Sequence, residues 1–525
     1  MSISRLGRLL ECGMRRWAAL AAVVVVMGSG ADSACIAQGA AKTPGCEGVD
    51  ARACLGRALD AMGGREKLAS IRTEQLDVIG HTELMEQSYR QAPFITSYAR
   101  EQMVVDHAGQ RLVKKEHSVW PESDLKQADS DFTLIVTPAG GAVRSGGGKD
   151  GPCGAANLDA AREALALGPL SVLLTAEKAS DLRFGPAETL RSTAHTVLAF
   201  TWNGVPVRVL VNRDNHLPDA VETTEEFRDF WFYWGDVEQR VYFDNWRWVG
   251  GVEYPSNQVT ERNGAVWMST QALDVTFNGA VEEKDFAMDA KVAAMSAGMK
   301  GWAAAKFSAA QDKALAEGID LFVGSWNATI VKQADGVVIL ETPISENFTE
   351  GILAEAKKRY PDAAVKAVLS TSDSWPHVGG VRADVAEGLP GYILDLNEPL
   401  LERMVTAPHA IDPDALQSAK KTPVWKIVSG KTEIGTGANR MVLYPLRGPS
   451  TERQYMVYFP ERRLLYASDT LVVNDDHTLY DPELAHEVEQ AVERGHLAVD
   501  TVYAMHQAPV AWSDVVGMLR KTAQG

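Results

Sequence analysis

Two patterning regimes meet near Gly318, and they demand different architectures. Upstream, to about residue 286, runs rich in β-branched and aromatic residues recur at 74–79, 97–105, 110–119, 196–202, 207–212 and 220–224. Turn chemistry separates them: Asp106-His-Ala-Gly109, Trp202-Asn-Gly204 and Arg213-Asp-Asn215. Such a succession predicts an antiparallel sheet curved into a half-barrel, interrupted by one helix near 158–174. Downstream, the apolar strands 337–341 and 365–369 flank a helical stretch at 348–360 with a basic end, Lys357-Lys-Arg359. That alternation predicts sheet faces covered by helices, so the fold class is α+β. At 525 residues the chain has room for two large domains and a leader. The expected boundaries are a signal peptide over 1–39, a β-rich domain over 48–290, a helical connector over 291–316 and a second domain over 317–525.

The leader follows from order rather than composition. Arg5, Arg8, Arg15 and Arg16 precede the apolar run from Trp17 to Met27, and small residues follow to Ala40. Charged, apolar, then small is the order of a secretory signal, and the run is short of the roughly 20 residues a membrane span needs. The expected location is the periplasm or cell envelope, with peripheral association with the envelope. Export permits disulfides, and Cys46 and Cys54, close in sequence beside a helix start, are the candidates for one. The formal charge of −17 opposes nucleic-acid binding, since phosphates meet net repulsion. Oligomeric state is not legible.

Residues 49–70 read as a helix with an apolar face at Ala53, Leu55, Ala58, Leu59 and Met62, ended by Gly63-Gly64. The most aromatic stretch is Phe230-Trp-Phe-Tyr-Trp234 followed by 241–248. Read as strand, it places aromatics on both sheet faces, either as core or as an apolar concavity for a lipid-like ligand. This half resembles the lipoprotein-carrier-like β domains of bacterial envelopes. The resemblance rests on Ala58-Leu-Asp-Ala-Met-Gly-Gly64, residues 71–80, Leu217-Pro-Asp219, 242–255 and 278–286.

The second domain carries a sharper resemblance. Residues 367–382 contain Ser372-Asp-Ser-Trp-Pro-His-Val-Gly-Gly380. The segment resembles the signature loop of metallo-β-lactamase-fold hydrolases, where His-x-His-x-Asp-His precedes Gly-Gly and a helix. Here Ser372, Ser374 and Pro376 replace three of the four ligands, and His377 keeps the last. Later landmarks follow in the family's order. Ser450 stands where a histidine is expected, Asp469 matches the bridging aspartate, and His506 matches the final histidine. The resemblance implies an αββα sandwich.

It also implies that the first metal site is absent, because Ser372, Ser374 and Ser450 offer neutral hydroxyls where imidazoles are needed. The second keeps His377, Asp469 and His506, a set able to hold one divalent ion (zinc, iron or manganese) and lower the pKa of a bound water. Asp373, one residue out of phase, is the candidate catalytic base. Ser372, Ser374, Ser450 and His477 are candidate substrate contacts. The implied function is single-metal hydrolysis of an ester, lactone or lactam-type bond in a small-molecule substrate. The alternative is a non-catalytic envelope protein without metal, binding a ligand or partner, its β domain holding a lipid-like molecule.

Overall fold

The structure, a computed structural model, describes residues 45–85, 94–119, 129–146 and 148–522. The expected signal peptide lies outside them.

Cys46 and Cys54 are bonded and tie down the entry to the first helix, Ala51–Ala61. Asp50 caps that helix, its carboxylate accepting from the Ala53 N–H. The upstream runs then form one fourteen-stranded antiparallel sheet. The long first strand, Thr73–Glu83, pairs on one side with Thr96–Asp106 and on the other with the last strand, Ala265–Phe277. From there the sheet extends outward both ways, to Asp150–Pro152 at one end and Arg183–Phe184 at the other. Among the described residues its two end strands do not pair with each other. Leu55 and Leu59 from the first helix, and Met62 at its C-terminal cap, pack against Phe200, Val209, Phe243 and Tyr254 of the sheet.

Three sequence expectations need correction here. The helix expected at 158–174 is two helices, Ala155–Leu167 and Val172–Lys178. Gly168-Pro169 breaks them, because proline lacks the N–H and its ring clashes with the preceding turn. The aromatic run is not strand throughout. Phe230–Trp234 is a 3-10 turn, capped by Asp229 accepting from the Trp231 N–H and stopped at Gly235, whose φ is +65°. Only Val237–Val249 is extended. The connector is an α-helix only over Ala290–Ala297, which Gly298 caps, with a 3-10 turn at Trp302–Ala304. Asp312–Ala316 is already a strand, pairing with Ile319–Phe322.

The C-terminal part is four layers deep. A seven-stranded sheet changes from antiparallel to parallel beyond Gly336–Leu340. A six-stranded sheet faces it. Ile319, Val338, Leu340 and Leu369 from the first meet Leu443, Val457, Phe459 and Tyr503 from the second, and all eight are essentially without solvent exposure. Helix Glu346–Arg359 covers the outer face of the first sheet, with Phe348 and Ile352 against Ile330 and Ile339. Pro482–Arg494 and Trp512–Thr522 cover the second, through Val488, Val492, Val515 and Leu519.

The turn Phe230–Trp234 packs into this C-terminal part. Trp231 and Trp234 bury in the same cluster as Trp375 and Met404. Asp236 takes the Ala410 and Ile411 N–H groups at 3.0 Å. A Cβ at Gly235 would come within 2.2 Å of the Pro408 carbonyl, so the contact requires glycine.

Candidate functional site

The two sheets end together at one rim. Strand Val365–Leu369 runs into Ser370–Ser374, then a short helical turn, Trp375–Val378. Pro376 sits in its first turn, where the missing N–H removes no helical bond. Gly379-Gly380 then passes against the loop after Leu340. A Cβ at Gly379 would lie 2.3 Å from the Ile344 carbonyl, and one at Gly380 2.5 Å from the Thr342 carbonyl. This close approach brings His377 onto Glu341.

Glu341 ends the apolar strand, with no solvent exposure and a left-handed φ of +70°. Thr371 donates its hydroxyl to Oε1, and the Tyr466 hydroxyl donates to the same oxygen at 3.2 Å. Oε2 stands 3.0 Å from His377 Nδ1. The other imidazole nitrogen of His377, Nε2, faces Asp469, 3.8 Å from Oδ2. Asp469 follows Ser468, another left-handed residue (φ +58°), and its N–H donates to Gln454 Oε1. Its second oxygen lies 3.3 Å from His506 Nε2. His506 Nδ1 lies 2.6 Å from the Ser325 carbonyl. A carbonyl only accepts, so Nδ1 carries a proton and Nε2 is turned toward Asp469.

The sequence-separated trio His377, Asp469 and His506 is therefore brought together, with Glu341 behind it. Burial pushes the His377 imidazole down, but the Glu341 and Asp469 carboxylates outweigh it and hold it at about 10. For Asp469, burial raises the carboxyl while His506 and His377 bring it below its ordinary value. Two nitrogens aimed at one carboxylate call for a positive charge between them, either a proton or a cation. Two ligand atoms, each ~2.1 Å from a shared tetrahedral ion, lie roughly 3.4 Å apart. The 3.3 Å from His506 to Oδ1 is close to that separation, while the 3.8 Å from His377 is to the other oxygen, Oδ2, and is too long for a hydrogen bond. As the side chains stand, no three His, Cys, Asp or Glu among the described residues enclose an ion position.

The remaining expected residues are placed otherwise. Asp373 is buried, and its Oδ2 accepts from Arg453 Nε at 2.7 Å. Burial raises its carboxyl, to about 6, against the pull of Arg453. Ser372 Oγ accepts from the Ser374 N–H, and both serines are buried in the loop. Ser450 is turned to helix Pro482–Arg494, donating its hydroxyl to Glu483 at 2.8 Å and its N–H to Glu487 at 3.0 Å. His477 is exposed in the loop after Asp469.

An aromatic wall that sequence reasoning missed adjoins the trio. The Trp326 ring is 6.1 Å from that of His506 and 5.5 Å from Trp375, and Trp302 packs on both tryptophans. Phe230 from the N-terminal part stacks on Trp375 at 4.0 Å. The tryptophans lie in loops and single turns, where periodicity gives no signal.

No family model matches the chain, and no curated protein matches it. Among solved structures it is similar to the DIM-1 metallo-β-lactamase, at 16% identity over 40% of this chain and 97% of that one, with a TM-score of 0.32. A metallo-β-lactamase from Erythrobacter litoralis is 17% identical over 42% of this chain and 99% of its own, with the same TM-score. The sec-alkylsulfatase Pisa1 from Pseudomonas sp. is 14% identical over 40% of each chain, at 0.30.

Proposed function

We propose that the C-terminal sandwich is a metallo-β-lactamase-like hydrolase domain that works with a single divalent ion held by His377, Asp469 and His506. The observation that carries this reading is the orientation of the two imidazoles. Each turns Nε2 toward Asp469 while Nδ1 faces an acceptor behind it, Glu341 Oε2 at 3.0 Å in one case and the Ser325 carbonyl at 2.6 Å in the other. Outer partners of this kind fix ring orientation and raise ligand basicity in metal sites. The order of sequence landmarks and the four-layer packing support the same reading. When bound, the ion supplies Lewis acidity and a more acidic water.

The chain's own residues then have separate tasks. Glu341 keeps the His377 ring in place and supplies the negative charge that offsets the ion. Trp326, backed by the buried Trp375, offers an apolar surface beside His506, which suits an acyl or aromatic portion of an ester, lactone or lactam. The Asp373–Arg453 pair braces the loop that carries His377, and this makes Asp373 a positioning residue rather than a base in the proposal. Loss of imidazole at Ser372, Ser374 and Ser450 leaves no first metal position.

Export to the periplasm or envelope is part of the proposal, supported by the leader pattern and the Cys46–Cys54 bond, which suits an oxidising compartment. The test is hydrolysis of an aryl ester, an aliphatic lactone and a chromogenic lactam by the zinc-loaded full chain. Turnover of at least one, abolished by His506→Ala, is expected. Rates equal to the buffer blank for all three, with zinc bound, would reject a hydrolase and leave the non-catalytic reading.

A further inference from the structure

The N-terminal part holds a cavity of about 820 Å³, open to solvent, between the inner sheet face and helix Ala155–Leu167. That size accommodates a drug-sized or single-chain lipid molecule. One region of its lining is aliphatic and aromatic, including Leu76, Val78, Leu134, Leu165, Val221 and Phe243. Elsewhere the lining is ionic, and its charges do not cancel.

Three lining cations are already committed. Arg262 bonds Asp229 at 2.7 Å and is sandwiched between Phe227 and Trp267, 3.8 and 3.6 Å from the ring centres. Lys114 lies between Glu101 and Glu116, at 3.1 and 2.6 Å. Arg228 closes on Asp159. The fourth, Arg162, is exposed. Four lining carboxylates, Glu74, Glu163, Glu225 and Glu226, have no Lys or Arg ion pair among the described residues. Glu74 is only 6% exposed, 3.4 Å from His107, and its Oε1 accepts no hydrogen bond from the described residues. Glu225 Oε1 is likewise without a partner among them. Glu163 accepts from Gln239 at 2.8 Å. Burial and then the charge of Glu225 push Glu163 up, to about 7.

We infer that this cavity is a binding site for a cationic amphiphile, an alkyl chain with an ammonium head. The chain would lie along the aliphatic lining, and the head would sit at the Glu163–Glu225 carboxylates, where it relieves their repulsion. A fatty-acid anion would instead add negative charge beside these half-buried carboxylates, where the neighbouring Arg262 is already bonded to Asp229. The inference is independent of the metal reading.

The test titrates the full chain with dodecylamine and with dodecanoate at pH 7.5, each below its micelle concentration. Heat and the fluorescence of the cavity tryptophans Trp231 and Trp267 are followed. Saturable binding of one dodecylamine, about tenfold or more tighter than dodecanoate, is expected. The isosteric Glu163→Gln/Glu225→Gln variant should erase that preference and, by removing the like-charge pair, melt no lower than the parent. Dodecanoate binding as tightly as the amine, no saturable binding of either, or an undiminished preference in the double variant would each overturn the inference.

Discussion

Glu341 Oε2 lies 3.0 Å from His377 Nδ1, and neither side chain is exposed to solvent. An unpaired buried charge is costly, so Glu341→Gln should destabilise the chain by ~3–5 kcal/mol, read as a loss in chemical denaturation. The same variant should weaken zinc binding by roughly 10- to 100-fold, because the outer partner of a ligating histidine is lost. A variant with parental stability and parental zinc affinity would show that Glu341 is a bystander.

The Asp373–Arg453 pair gives a second expectation. Both residues are buried, with Nε and Oδ2 2.7 Å apart. Asp373→Ala should cost ~3–5 kcal/mol, because Arg453 keeps its charge and loses its partner. Pairing Asp373→Asn with Arg453→Met should recover much of that loss, and a double-mutant cycle measures the coupling. If Asp373 were instead a proton-transferring base, the single Asn variant would lose turnover without losing stability.

Asp384 makes stability depend on pH. Its carboxyl is buried, bonded to the Thr342 hydroxyl at 2.5 Å, and burial pushes it up to about 8. The unfolded carboxyl titrates near ~3.9. Between those values the folded chain holds a proton that the unfolded chain has released. The contribution of Asp384 is therefore complete below pH ~4 and is lost as pH rises through about 8. Asp384→Asn should gain at least about 1 kcal/mol over the parent at pH 8.5 and nothing at pH 4. Equal gains at both pH values would contradict this.

The stack of Phe230 on Trp375 joins the N-terminal turn to the loop that carries His377. Phe230→Ala should cost about 2 kcal/mol. It should also broaden or split a single thermal transition in calorimetry, since the contact belongs to the cluster that the two parts share. One unsplit transition at the parental temperature would argue that the seam is held elsewhere.

Much of the fold was legible because strand and helix periods differ. Residues 348–360 and 365–369 fall within one residue or two of the observed helix Glu346–Arg359 and strand Val365–Leu369. The run Phe230–Trp234 misled because aromatics favour strands, while the informative residues were its neighbours, Asp229 as a cap and Gly235 as a stop. His377, Asp469 and His506 were identifiable through their flanking sequence. Glu341 carried one unused signal, a carboxylate closing an otherwise apolar strand. The Arg453 partner of Asp373 lies 80 residues away, and no local pattern links them.

The account turns on whether two imidazoles and one carboxylate share an ion, so the most direct measurement is the metal content of full-length protein purified without chelator and dialysed against zinc. About one tightly held equivalent is expected, lost in His377→Ala and in His506→Ala and kept in Ser450→Ala. Protein that retains no zinc, and whose melting temperature does not move when zinc is added, would contradict the account.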